Sequence, residues 1–274
     1  MSKFSVLLPV YHADNSSYLE LAIGSVIAST VKPSELVIVE DGPLPNSLTV
    51  VVNKYCKLYP DLIKLVRLKE NKGLGEALAH GVAACSCKLI ARMDADDVCQ
   101  KDRFERQLKI FKKNKDVAII GSNIDEYNDD MTCFLGNRIV PENDDDIKMF
   151  LKKRNPFNHV SVMFKKDAVI SVGGYLPMEG FEDYYLWCRL LKKYSGYNIQ
   201  ESLVKVRGGD SMYRRRGGLK YVKNIVKFEN VICEIGIIKK REKFLNSAMR
   251  VLAAIAPVWL KKIFYERILR GDKI

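Results

Sequence analysis

The sequence has no apolar run approaching the roughly 18 residues that a membrane-spanning helix requires. Nor does a charged n-region, apolar h-region and cleavage site precede the strand-like start MSKFSVLLPVY, so the expectation is a cytoplasmic chain, or one resting on the cytoplasmic face of the inner membrane. Histidine is scarce, with three in 274 residues, and the seven cysteines contain no CxxC pair. Both facts argue against a zinc site, and the odd cysteine count reads as free thiols in a reducing compartment. Gly/Ser, Gln/Asn and Pro-rich tracts are missing, as are internal repeats, which excludes solenoids and low-complexity linkers. A GxxxxGK[ST] loop is absent too, so the P-loop NTPases drop out.

Acidic charge is scarce only at one end. Residues 211–274 hold 16 Lys and Arg against 5 Asp and Glu, which places +11 of the net +12 there and leaves the first 210 residues almost neutral. A basic segment of this kind suits nucleic acid, an anionic membrane or phosphate-bearing substrates. No nucleic-acid-binding motif accompanies it, so nucleic acid is not expected as a partner.

With 47% hydrophobic and 28% charged residues the composition is that of a globular domain. Val-, Ile- and Leu-rich runs at Phe4–Leu8, Leu36–Glu40, Ile63–Leu68, Leu89–Met93 and Val117–Gly121 read as buried strands. Helical stretches at Tyr18–Ser29, Leu48–Leu58, Leu74–Ala84 and Arg103–Lys113 alternate with them. The rhythm predicts an α/β fold with a Rossmann-like, mainly parallel sheet and helices on both faces. In the second half Val160–Phe164 and Leu203–Val206 read as strands and Glu182–Tyr194 as a helix, with helix from Leu219 onward broken before Pro257. The division expected is a catalytic domain over 1–210, with a nucleotide-binding half to 120 and an acceptor half beyond, then a basic helical extension over 211–274.

Ligands of open parallel sheets lie beyond the carboxyl ends of the strands, and the polar residues collect there. The first strand ends in Pro9-Val10-Tyr11, the second in Glu40-Asp41-Gly42, and the fourth runs Arg92-Met93-Asp94-Ala95-Asp96-Asp97. After the third comes Asn71-Lys72-Gly73-Leu74-Gly75, a glycine-rich loop opening a helix, as phosphate loops do. Asp94 and Asp96 alternate along an extended segment and so face one side, where hard oxygen donors suit a divalent cation beside phosphate. The competing reading is that Asp96 or Asp97 caps the next helix. Asp41 suits a base N–H, and its competitor is an ordinary Asp-Gly turn.

Together VLLPVY, VIVEDG, NKGLGEAL and ARMDADD resemble the nucleotide-binding half of family 2 glycosyltransferases, which have the GT-A fold. The resemblance implies that Pro9, Val10, Tyr11, Glu40, Asp41, Lys72, Gly73, Arg92, Asp94, Ala95 and Asp96 meet a UDP-sugar, and that Asp94 and Asp96 hold Mn²⁺ or Mg²⁺. Glu40 departs from the family's commoner Asp. NPFNHVSVMFKKDAVISVGGY is similar to the family's acceptor-side segment, and Glu182-Asp183-Tyr184-Tyr185-Leu186-Trp187 to its ED motif. That implies an inverting transferase with Asp183 as general base. The competing reading makes Glu182 and Asp183 only the acidic start of a helix. His159 is a satisfied polar residue or a neighbour of the diphosphate or acceptor; Trp187 is core or an acceptor contact. Arg214 and Arg215, in Tyr213-Arg214-Arg215-Arg216-Gly217-Gly218, grip a diphosphate or form a solvated loop. Trp259, Leu260, Ile263, Phe264 and Ile268 share a helical face that suits either an anionic membrane surface or the core.

The family further implies a lipid-linked or oligosaccharide acceptor in O-antigen, capsule or exopolysaccharide assembly. Two rivals remain: a sugar-1-phosphate nucleotidyltransferase, whose GxGxR signature is replaced here by PVYHADNSS, and a non-catalytic nucleotide- or glycan-binding protein.

Overall fold

A computed structural model describes residues 3–208 and 218–256. The Arg214–Arg215 element and the apolar face at 259–268 lie outside the described residues.

Four strands form a parallel block in the order β3-β2-β1-β4: β1 Phe4–Tyr11, β2 Glu35–Asp41, β3 Ile63–Arg67 and β4 Leu89–Arg92. β1 is buried from Phe4 to Val10 and β2 from Leu36 to Asp41. Burial on both faces is why these segments lack polar alternation. Alternate residues feed two cores. Val6, Leu8 and Ile38 face Leu19 and Ile23 of α1 (Ser16–Ile27), Val52 of α2 (Asn46–Leu58) and Phe104 of α4 (Arg103–Lys113). Leu7, Val37 and Val39 face Leu78 of α3 (Leu74–Ala84) and, beyond it, Trp187. α1 starts where Asn15 Oδ1 accepts from the Ser17 and Tyr18 amides. α3 lies close enough that a Cβ on Gly81 would sit 2.2 Å from Leu7 Cδ1.

Beyond β4 the sheet is mixed: antiparallel pairs appear there beside one further long parallel pair. β8 (Met163–Lys165) runs antiparallel to both β4 and β6 (Val117–Tyr127). β9 (Ser195–Arg207) pairs parallel with β6, and the two-residue β5 (Val98–Cys99) closes antiparallel on β9. β7 (Phe134–Arg138) returns as a hairpin on β6 and has no apolar run to betray it. The segment read as a strand at Val160–Phe164 divides. His159–Ser161 forms a 3₁₀ turn because Asn158 C=O accepts from both the amide and the hydroxyl of Ser161, and the strand pairing starts only at Met163. Two short helices, α5 (Asp144–Leu151) and α6 (Lys166–Ser171), and α7 (Glu182–Leu190) complete this half.

The C-terminal helices are part of the core. α8 (Gly218–Glu234) and α9 (Lys240–Ile255) form a hairpin that turns at Gly236, with φ +78°. Ile225, Phe228, Ile232, Ile238 and Ala254 join the cluster that contains Tyr184 and Trp187. Phe228 stacks on Phe181 at 4.6 Å. α9 ends before Pro257 as expected, Ala256 being extended at ψ 146°.

One ion pair pins the hairpin. Glu229 is 0% exposed, and its Oε1 lies 2.8 Å from Arg250 Nε. The same guanidinium faces the rings of Phe181, Tyr184 and Phe228. Removing one member of such a pair leaves a buried charge uncompensated. Arg250→Ala should therefore cost about 3 kcal/mol. The double change Glu229→Gln/Arg250→Met should recover part of the loss, as urea midpoints will show.

Candidate active site

The strand ends meet along one edge, and Asp41 organises the first part of it. Its Oδ1 accepts from the Lys72 amide at 2.8 Å and its Oδ2 from the Gly73 amide at 3.0 Å. Gly42, at φ +84°, lets the 70–73 loop lie on the strand end. A Cβ there would come within 2.5 Å of Asn71 N. Gly73, at φ +86°, then turns the chain into α3, which has no side-chain cap at its N-terminus. Asp41 and the glycine-rich loop, read as separate elements, are thus one unit. Glu40 is engaged by Arg67 Nε at 3.0 Å, and Lys72 Nζ lies 3.9 Å from Glu70. Pro9 and Val10 are buried, and Tyr11 stands 37% exposed at the rim.

At the end of β4, Arg92 is almost wholly buried and its Nη1 pairs with Asp94. Ala95 is buried between the carboxylates. Asp94, Asp96 and Asp97 each offer an oxygen, all within 4.8 Å of one another. Burial and the neighbouring Asp94 push Asp96 up to about 6. Burial, Asp96 and Asp94 push Asp97 well above the usual carboxylate range. Three hard oxygen donors that repel one another fit a divalent cation, whose charge would relieve the crowding. The helix-capping alternative fails: Asp97 Oδ1 accepts from the Arg207 amide at 3.0 Å, and α4 begins after Asp102. Arg207 also donates to the Asp96 carbonyl, and its guanidinium lies 3.9 Å from the Tyr18 ring centroid.

Across from this turn stands Asp183, the second residue of α7. Its Oδ2 accepts from Asn155 Nδ2 at 2.6 Å and its Oδ1 from the Tyr184 amide at 2.7 Å. Burial raises its pKa against the lowering influence of these bonds and of Arg138 and Arg92. The side chain nevertheless keeps 20% of its surface accessible. Glu182, also raised by burial, lies against the first turn of α3: a Cβ on Gly75 would meet its Cγ at 3.0 Å. His159 Nδ1 is 4.0 Å from Asp183 Oδ2, and its Nε2 lies 2.9 Å from the Tyr175 hydroxyl. Burial, reinforced by Arg92, holds the imidazole well below its ordinary pKa and hence neutral. Trp187 is 0% exposed and packs edge-on against His159 and Phe157. It supports the site from the core, which corrects the acceptor-contact alternative.

Sequence reasoning assigned no role to Asn155, Tyr175 or Arg207, and gave Asp97 only a capping one. Asn155 and Tyr175 were visible inside the NPFNHV…GGY segment, but nothing in their spacing shows that they face Asp183 and His159. Arg207 closes a long strand with no local signal at all.

An acidic turn on an open α/β sheet, faced by an enclosed carboxylate, is the arrangement expected of a glycosyltransferase of the GT-A class, and the relatives of the chain are of that class. The chain belongs to glycosyl transferase family 2, whose model matches residues 5–173. It is 34% identical over 272 residues to the amylovoran biosynthesis glycosyltransferase AmsE of Erwinia amylovora, covering 98% of this chain and 100% of that protein. It is 33% identical to the UDP-Gal:α-D-GlcNAc-diphosphoundecaprenol β-1,3-galactosyltransferase of Escherichia coli, covering 98% and 97%. In fold it resembles S. aureus TarS 1–349 in complex with UDP-GlcNAc, with TM-score 0.69, 15% identity, and 97% and 76% of the two chains covered. The mannosyltransferase PcManGT of Pyrobaculum calidifontis, in complex with GDP-Man and Mn²⁺, gives TM-score 0.63 at 15% identity, covering 95% and 78%.

The Asp41 clamp has a direct test. Asp41→Ala removes the acceptor for two amides at once, and bonds to a charged acceptor are worth about 1.5–3 kcal/mol each. The expected result is a loss of about 2 kcal/mol of stability, net of water replacing the carboxylate. Amide exchange should accelerate specifically at Lys72 and Gly73.

Proposed function

We propose that the protein moves a sugar from a UDP-sugar to a saccharide carried on a polyprenyl diphosphate, with inversion at the anomeric carbon, during assembly of a cell-surface polysaccharide. The observation that carries the reading is a buried guanidinium that pairs with the acidic turn and whose charge also reaches Asp183, beside which His159 stands 4.0 Å away. Arg92 pairs with Asp94 of the acidic turn and also acts on Asp183, so donor-side and acceptor-side acids belong to one site. The donor and acceptor named for the E. coli relative, and the polysaccharide named for the Erwinia one, support the choice of substrates.

In this reading the loop clamped by Asp41 receives the nucleotide, with Tyr11 at its rim. Asp94, Asp96 and Asp97 would hold Mn²⁺ or Mg²⁺, which would supply Lewis-acid stabilisation to the diphosphate leaving group. Asp183 accepts the proton of the acceptor hydroxyl as that oxygen bonds to the anomeric carbon. Its raised pKa makes it a better base than an exposed carboxylate. Asn155 holds one oxygen so that the other lone pairs face the acceptor. Neutral His159 and Tyr175 line the wall without adding charge near a cationic, oxocarbenium-like transition state. A single displacement on an α-linked donor gives a β-linked product. A lipid-linked acceptor places the work at the cytoplasmic face of the inner membrane, where the basic C-terminal residues favour anionic lipid.

Two measurements test this. EDTA should abolish transfer and Mn²⁺ or Mg²⁺ restore it, with Asp96→Ala losing most turnover; full activity in chelator would remove the cation from the scheme. Asp183→Asn should leave UDP binding within a few-fold of wild type while transfer drops at least ~10²-fold. For the wild type, kcat/KM should decline as pH falls through a pKa above the ordinary carboxylate range, because Asp183 must be ionised to accept a proton. An Asp183→Asn variant that transfers sugar at the wild-type rate would place the base elsewhere, and a wild type that binds UDP but transfers no sugar would return the field to the non-catalytic reading.

A further inference from the structure

The outer face of α9 is apolar along nearly its whole length. Asn246, Arg250 and Ala254 turn inward: Asn246 Nδ2 donates to the Lys152 carbonyl at 2.8 Å, and Arg250 Nη2 donates to the Lys153 carbonyl at 3.0 Å. On the opposite side Phe244, Leu245, Met249, Leu252 and Ile255 are each between 50% and 74% exposed. The other exposed positions of the helix after Arg241 are alanines, at 248 and 253. An amphipathic surface helix ordinarily presents charge to water, so this helix has its polarity inverted. Arg241 heads the stripe through the spacing 241, 245, 248, 252, 255, and Lys239 and Lys240 are exposed beside it.

We infer that this face is the surface by which the protein lies on an anionic bilayer. Charge complementarity selects the partner, because the last 64 residues carry +11 and the exposed Lys239, Lys240 and Arg241 stand where the apolar stripe begins. Size argues the same way. The stripe from 244 to 255 is about 18 Å long and one helix wide, which is small beside the roughly 800 Å² per partner of a stable protein interface. It is what an in-plane helix needs to seat its apolar side between lipid headgroups.

The placement also deepens the proposed reaction, on which this part rests. The inward side of α9 holds the carbonyls of Lys152 and Lys153, three and two residues before the Asn155 that holds Asp183. Arg250 also reaches the Tyr184 hydroxyl at 3.3 Å. One helix, about 10 Å thick, therefore separates the bilayer from the segment that carries the base.

The test uses the full-length protein and the variant Phe244→Gln/Met249→Gln/Leu252→Gln. All three side chains are exposed, so the fold should be unaffected, as thermal melting will verify. Wild type should co-sediment with phosphatidylglycerol-containing vesicles, more weakly at high salt and hardly at all with phosphatidylcholine. The variant should bind the anionic vesicles at least ~10-fold less, while transferring sugar to a short soluble acceptor at the wild-type rate. Leu252→Cys should react with a soluble maleimide in buffer and become protected on the vesicles. Equal vesicle binding by variant and wild type overturns the proposal. So does maleimide protection without vesicles, which means that residues 257–274 or a second copy already cover the face. Sedimentation velocity tells those two apart. Vesicle binding is scored separately from turnover. A protein that binds vesicles through this face but never uses a lipid-linked acceptor defeats the proposed acceptor and leaves the surface standing. One that uses such an acceptor without binding vesicles does the reverse.

Discussion

The site is organised around a positive charge with almost no access to water. Taking a guanidinium out of solvent is costly unless acids surround it, and the sheet sets Arg92 where β4 stops, amid the residues that matter. It pairs with Asp94, lowers the pKa of Asp96 and Asp97 against their mutual repulsion, and acts on Asp183. It also disfavours protonation of His159. Arg103 stands behind it, donating to the carbonyls of Arg92 and Val162 and so tying α4 to the same strand end. That charge offsets part of the burial and mutual repulsion that raise Asp96 and Asp97, and a bound cation would offset the rest.

The two halves of the chain were unequally readable. Leu36–Glu40 and Leu89–Met93 announce themselves because both faces of a parallel strand must be apolar, and the polar residues that follow are then placed by topology alone. β7, with the sequence FLGNR, has one half-exposed face at a sheet edge and no pattern to find. The 3₁₀ turn at His159–Ser161 depends on one serine bonding back to Asn158, a local competition that apolar periodicity cannot register. Candidate residues were legible where a strand end exposes them, as at Asp41, Asp94 and Asp96, and where a helix start does, as at Asp183. Asn155, Tyr175 and Arg207 acquire meaning only from contacts 28, 16 and 111 positions away in the chain.

The basic extension shows the limit of charge as a guide to architecture. Its net charge set it apart from the almost neutral body, while Ile225, Phe228 and Ile232 lie in the main core, and the fully enclosed Glu229 gives the segment an acid of its own. The lysines lie on the surface of α8 while its apolar side does the packing. A region can thus be basic in sum and still be built around a buried carboxylate.

The docking of that hairpin bears on how the gene tolerates damage. A stop codon anywhere from 218 to 228 would leave every codon of the acidic turn, the glycine-rich loop and Asp183 intact. It would also strip Phe181 and Tyr184 of the aromatic and guanidinium partners that seat the first turn of α7. Such an allele would pass for functional in any comparison of motifs, and its product would present Asp183 with no support behind its helix. For genomes in which late truncations of such genes are common, the reading frame should be followed to α9 before a locus is counted as active.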